Sequence, residues 1–334
     1  MTAITSGLRL RQLRGPDDYR GLTEANQEAR VAAGRPSGIT VTDLARYLEH
    51  LVNCDPVRDL VVAEVDGRIR GYGIVYWRDL VDGGRIVVGH PILAPDARTP
   101  ESIGTLLGWL DERLEAIGTG LTTPRPDYAS AFTWDDNHLA TAWFEEHGWT
   151  TVAKAYEMLR RSMADIPEIA LPDGLEIRPV TSADVGRVWD ALVDGFRDHR
   201  HKPEATDEDR ERFLDNPVHD PSLWVIAFDG DEIAGGVVNI IDPEENAQTG
   251  VDQGYVDAVF TRPAWRRRGL ARSLVAQSLL RLRESGMASA MLGVDGANPN
   301  QAMTLYEDVG FEIAATELEW RRPFAAAEVP NGTH

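Results

Sequence analysis

The clearest pattern of apolar and polar positions lies between Val256 and Leu282. Val256 to Thr261 is filled with β-branched and aromatic residues, with Asp257 the one charge, which predicts a strand. Arg262-Pro263 ends it, and a turn through Arg266-Arg267-Arg268-Gly269 follows. From Leu270 onward, Leu270, Leu274, Val275, Ser278, Leu279 and Leu282 recur at helical spacing, so a helix starts there. Elsewhere the pattern repeats itself. Leu8 to Leu13 and Leu175 to Val180 each read as a strand followed by a helix, whose polar first residues are expected to cap it. Leu60 to Val65 and Ile69 to Trp77 flank Asp66-Gly67. Leu223 to Phe228 and Ile233 to Ile241 flank Asp229-Gly230-Asp231. Both predict hairpins. Ala140 to Trp149 and Ala302 to Phe311 each read as a short helix ended by glycine, with an aromatic opening the next strand.

These landmarks recur in the same order, offset by about 162 to 167 positions, which implies duplication of one α/β unit. The boundaries expected are a first domain at 1–163, a proline-punctuated linker at 164–173, a second domain at 174–324 and a disordered tail at 325–334.

A strand, a glycine-containing basic turn and a helix N-terminus make an anion site, because the free N–H groups and the dipole of the first turn favour negative charge. Gly269 permits positive φ and a close approach of the backbone to a phosphate. Seven arginines and no acid lie between Arg262 and Arg283, in a chain of net charge -20. A lone glycine turn is a weak motif, and a solvated arginine face is the plain alternative. The first copy lacks this turn. Its counterpart, Ala94 to Gly104, keeps one arginine (Arg98) and adds Asp96 and Glu101. The first half is therefore expected to be a degenerate copy that shapes a site and does no chemistry.

With 334 residues, 43% of them hydrophobic, the chain can build two ordinary cores. Its acidity argues against nucleic acid or an anionic membrane as partner. A single cysteine, Cys54, excludes an internal disulfide and fits a reducing compartment, so a cytoplasmic location is expected. Cys54 has no cation or histidine beside it in sequence and reads as a passive thiol. The N-terminus has no apolar stretch like a signal peptide, and no run reaches the length of a membrane span. His199 and His201 have no third ligand at suitable spacing, so no metal is expected. The acids of residues 204–211 read first as a solvated face, and alternatively as a means of steering a cationic amine.

The second half resembles the GNAT superfamily of acyl-CoA-dependent N-acyltransferases. The resemblance rests on Arg266-Arg267-Arg268-Gly269-Leu270-Ala271 after Thr261-Arg262-Pro263, and on Asn298, Ala302, Leu305-Tyr306-Glu307 and Gly310-Phe311 further on. It covers about Leu175 to Phe324, and more faintly Leu8 to Arg161. The layout is similar to that of tandem members with a degenerate first copy. The implied fold class is α/β, two tandem domains, each a mixed, largely antiparallel sheet flanked by helices.

The resemblance implies acetyl-CoA as donor, a small-molecule primary amine as acceptor, and direct attack in a ternary complex. It places the pyrophosphate on the amides of Arg267 to Ala271, with charge from Arg266 or Arg268 and with Leu270 and Arg272 alongside. It places the pantetheine along Val259, Phe260 and Thr261, an N–H of Val259 or Phe260 on the thioester carbonyl, and Asn298 on backbone or pantetheine amides. Tyr306 stands at the position of the acid that protonates the thiolate, with a core tyrosine as the alternative. Asp257 stands as the base or as a strand-edge charge. Three other functions remain open: a non-catalytic acyl-CoA-binding protein, transfer of a longer acyl group, or a hydroxyl acceptor. The chain is expected to be a monomeric pseudo-dimer or a homodimer.

Overall fold

A computed structural model describes residues 7–35, 39–122, 126, 128–197, 204–296 and 302–324. The first half runs β1 (Arg9–Gln12), α1 (Pro16–Ala32), α2 (Val41–Glu49), β2 (Leu60–Val65), β3 (Arg68–Asp79), β4 (Arg85–Leu93), α3 (Pro100–Gly120), β5 (Tyr128–Trp134), α4 (His138–Glu146) and β6 (Thr150–Arg160). The second half runs β7 (Glu176–Arg178), α5 (Val185–Phe196), α6 (Asp207–Leu214), β8 (Val225–Asp229), β9 (Glu232–Ile240), α7 (Pro243–Thr249), β10 (Gln253–Thr261), α8 (Leu270–Glu284), β11 (Ser289–Asp295), α9 (Ala302–Asp308) and β12 (Glu312–Pro323). Apart from the extra helix α7, the order of elements repeats.

Local chemistry accounts for the repeated hairpins and for one difference between the helices. Asp66 and Gly67 both take positive φ, the conformation a two-residue turn needs between right-twisted strands. The polar residues expected to cap α1 do not do so. Gly15 holds its N-cap position without a side-chain bond, and Asp18 instead accepts from Arg11 and from the Arg14 amide. In the second half Thr181 and Asp184 do form a capping box, on the short turn ahead of α5.

The halves do not keep separate sheets. One twelve-stranded sheet runs β1-β2-β3-β4-β5-β12-β6-β11-β10-β9-β8-β7. The last strand of each half crosses over. β6 pairs with β11 of the second half, and β12 pairs with β5 of the first. The two exchanged strands pair with each other at the centre. Among the described strands only β4–β5 and β10–β11 are parallel.

One face of the sheet carries α3 on β3, β4 and β5, and α8 on β8, β9 and β10. The other carries α1 on β3 and β4, and α5 on β9 and β10. Trp320 of β12 lies fully buried in the first half's core, stacked 5.3 Å from Phe144, with its indole N–H donating to Thr133 at 2.9 Å. No helix of the described residues is long and apolar enough to cross a membrane.

Candidate active site

The site begins where two strands part. β10 and β11 pair only from Gln253–Ser289 to Tyr255–Met291, while β10 stays on β9 as far as Thr261. A bulge between Val256 and Ala258 leaves Asp257 outside the ladder at the point of divergence. Beyond it, one edge of β10 faces a gap. The Arg262 amide donates to the Ala234 carbonyl of β9 at 3.0 Å. Strand alternation then turns Phe260 to β9 as well, and Val259 and Thr261 to the gap. The Thr261 carbonyl, pointing away from β9, accepts from Arg266 Nε at 3.1 Å. Of the two amides considered for the carbonyl site, Val259 therefore faces the gap. The Phe260 ring is 2% exposed and packs in the core beneath α5, so it is a structural residue.

After Thr261 the chain makes a short turn at Pro263–Trp265 and enters the basic bend. The Trp265 indole donates to Asp229 at 2.9 Å and anchors it. Arg267 takes φ 60 and Gly269 φ 81, so two residues of one short loop are left-handed. Such a bend gathers successive N–H groups into a concavity at the start of α8. A side-chain carbon at Gly269 would meet nothing within 4 Å, so the glycine serves its backbone angle and open space lies beside it.

The arginines divide into two kinds. Arg262 donates to Asp194 at 2.7 Å and to the Ile233 carbonyl at 3.1 Å. Arg266 donates to the carbonyls of Thr261 and Gly195, at 3.1 and 2.9 Å. Both tie the loop to α5 and its neighbours. Arg267 is exposed and makes no hydrogen bond or ion pair among the described residues, and exposed Arg268 makes one bond, to the Asp173 carbonyl at 3.1 Å. Arg272 pairs with Asp308 at 3.2 Å, with both side chains near half exposed, a contact worth little in water. Leu270 is buried in the core and Ala271 half-buried, so what each can offer a ligand is its amide.

Tyr306 sits on α9 in the apolar cluster that holds Val256 and Leu270, with half-buried Val259 against it. Its ring meets Phe311 edge-on at 6.2 Å. Burial pushes its phenol up to about 12, so it keeps its proton at neutral pH. Asp257 keeps accessible surface, yet protein surrounds it closely enough that burial raises its carboxyl to about 6. The two observations fit a side chain on the wall of a crevice. Asn298, His199 and His201 lie outside the described residues.

The first half's counterpart is closed. Thr99 caps α3, Pro100 opens it, and Arg98 turns inward to Asp136 at 2.6 Å and to the Leu93 carbonyl at 3.0 Å. The cavity lined by Pro91, Leu93, Arg98 and Trp134 holds about 20 Å³, room for one water. Cys54 is half-buried, and burial pushes its thiol up to about 12, as suits an inert group. Sequence reading missed Arg35, Glu157, Tyr255 and Glu317, which gather around Glu157. A signal was present in β6, where Glu157 is a charge among apolar residues just before the buried run Met158–Arg160.

Comparison with known proteins matches this geometry. Residues 187–311 match the acetyltransferase (GNAT) family. The mycothiol acetyltransferase of Geodermatophilus obscurus is 26% identical over 318 residues, 94% of this chain and 92% of that protein. That of Thermobispora bispora is 32% identical over 179 residues, 52% of this chain and 59% of that one. Among solved structures, a GCN5-related N-acetyltransferase from Sphaerobacter thermophilus superposes with TM-score 0.74 at 20% identity, over 96% of each chain. A tandem GNAT protein from the clavulanic acid biosynthesis pathway gives TM-score 0.64 at 13% identity, over 96% of this chain and 100% of that one. Both show the fold alone. Parted strands, left-handed basic bend and the match to the acetyltransferase (GNAT) family over residues 187–311 coincide in one segment.

Proposed function

We propose that the chain is an acetyl-CoA-dependent N-acetyltransferase whose chemistry lies in its second half and whose acceptor is a primary amine of a small molecule. The observation that carries this reading is the open edge of β10 leading into the bend at Arg267 and Gly269. The residues present suit the donor. Amides from Arg267 to Ala271 would hold the pyrophosphate, with Arg267 and Arg268 supplying charge. The free edge of β10 at Val259 and Thr261 would pair with the pantetheine like an added strand. Acetyl-CoA, when bound, supplies a thioester as the acyl source.

The chain's own groups then have distinct tasks. The Val259 N–H polarises the carbonyl under attack. Asp257, ionised above about pH 6, accepts the proton that the amine gives up, directly or through water. Tyr306, protonated up to about pH 12, hands its proton to the departing thiolate. The relatives named above are mycothiol acetyltransferases, so a mycothiol-type amine falls within the acceptor class. The first half is read as a degenerate copy, a reading supported by its closed counterpart site. The spans 1–163 and 174–324 are proposed as its two units.

Titration of acetyl-CoA into Arg267→Glu and Gly269→Glu protein tests the reading. Affinity should fall about tenfold or more in each, the scale of a lost charge-assisted contact. Unchanged affinity in both rejects the pyrophosphate cradle.

A further inference from the structure

On the face that carries α1 and α5, those helices pack on β3, β4, β9 and β10. The strands between them, β5, β12, β6 and β11, form the floor of a trough. Alternation puts Gly293 of β11, Glu157, Ala155 and Ala153 of β6, and Glu317 and Glu319 of β12 on this floor, and all keep accessible surface. Tyr255 reaches in from β10. A side-chain carbon at Gly293 would lie 3.3 Å from the Tyr255 hydroxyl and 4.0 Å from Glu157 Oε1, so glycine leaves these groups facing each other over open floor. Asp257, the proposed base, follows Tyr255 by two residues on β10, at the near end of the trough.

The first half supplies Arg35 and Glu157. Arg35, just past α1, ion-pairs with Glu157 and lies 4.5 Å over the Trp134 ring. It is only 5% exposed, yet among the described residues its Nε has no partner, and neither does Glu157 Oε2. A buried donor and a buried acceptor are thus both left open in one place, each costly unless something satisfies it. Glu319 is matched by Arg321 at 2.7 Å. Glu317 makes no ion pair among the described residues, and burial raises its carboxyl to about 7, so near neutrality it can donate or accept. The trough therefore offers hydrogen-bond donors and acceptors, with Arg30, Arg35 and Arg321 set against Glu157, Glu319 and Asp257.

From this juxtaposition we infer that Arg35, Glu157 and Glu317 are specificity-determining residues. They bind the far end of an extended acceptor that carries uncharged hydrogen-bonding groups such as amides or hydroxyls. The inference rests on the acetyltransferase reading above. Three strand spacings separate β10 from β12, so the recognised groups lie up to about 14 Å from the reacting amine. A short amine would leave the buried donor and acceptor unsatisfied.

The test uses the full chain saturated with CoA, and reads binding by calorimetry. Three probes share one reach: triglycine amide, octylamine and 1,8-diaminooctane. Triglycine amide should bind at least about tenfold more tightly than either other probe, the scale of one satisfied buried polar group. Glu317→Ala and Arg35→Lys should each erase most of that preference. Equal affinity for the three, a preference for the apolar or dicationic probe, or variants that weaken all three alike would overturn the inference. A parallel assay of acetyl transfer from acetyl-CoA to an amine panel separates this outcome from failure of the acetyltransferase reading, since that failure appears as CoA binding without turnover or as no CoA binding at all.

Discussion

Glu157 and Gly293 stand directly opposite each other in the β6–β11 ladder, one from each half of the chain. A strand of the first half thus completes the sheet of the second, and β12 returns the exchange by pairing with β5. Each half alone would leave an open hydrogen-bonding edge and an unfilled core.

A protease site introduced at Glu168, in the proposed linker, should therefore yield two fragments that travel together in native gel filtration and part only in denaturant. Fragments that separate under native conditions would show that the exchanged strands do not hold the halves.

Trp320→Ala removes a side chain 1% exposed, contributed by the second half to the first half's core. Loss of a buried tryptophan costs about 3–5 kcal/mol. Thermal or urea unfolding should show a single transition shifted to lower stability. A transition that splits, with the second half unaffected, would mean that the halves unfold independently.

Tyr306→Phe should lower kcat by about 100-fold or more, the usual contribution of a general acid. Affinity for acetyl-CoA should stay near that of the parent, because the ring and its contact with Phe311 are retained. A large loss of CoA affinity with little change in kcat would make Tyr306 a packing residue.

The pH profile should report Asp257. Its carboxyl is raised by burial from 3.8 to about 6, so kcat/KM should climb as pH rises through about 6 and level above it. Asp257→Asn should abolish that rising limb. The same shift has a cost in stability. A carboxyl held above its unfolded value opposes ionisation, so its contribution falls as pH rises from about 4 through 6. Asp257→Asn protein should accordingly lose less stability than the parent across that window. A parent profile flat between pH 5 and 7 would remove Asp257 as the base.

Much of the local structure was legible in advance. The run from Val256 to Thr261 lies within β10, and the helix expected from Leu270 starts there. Both hairpins form at the expected Asp-Gly turns. These signals are local, fixed by turn geometry and side-chain period. The exchange of β6 and β12 was not legible, because alternation along Thr150–Arg160 tells which face a residue takes and not which strand lies beside it. For the same reason the arginines could be counted but not sorted. Whether Arg266 faces a phosphate or a carbonyl depends on Gly195, 71 positions away. Glu317 escaped notice because its neighbours Trp134 and Ala155 come from the other half.

The crossing of final strands has a consequence for descent. In an ordinary tandem repeat, a copy that stops working can be trimmed away by a deletion. Here β6 of the first half is the strand on which β11 of the second half pairs, so deleting the first half would strip the second of its neighbour. Selection for an intact second half would then preserve the first half's architecture, whatever becomes of the first half's own cleft.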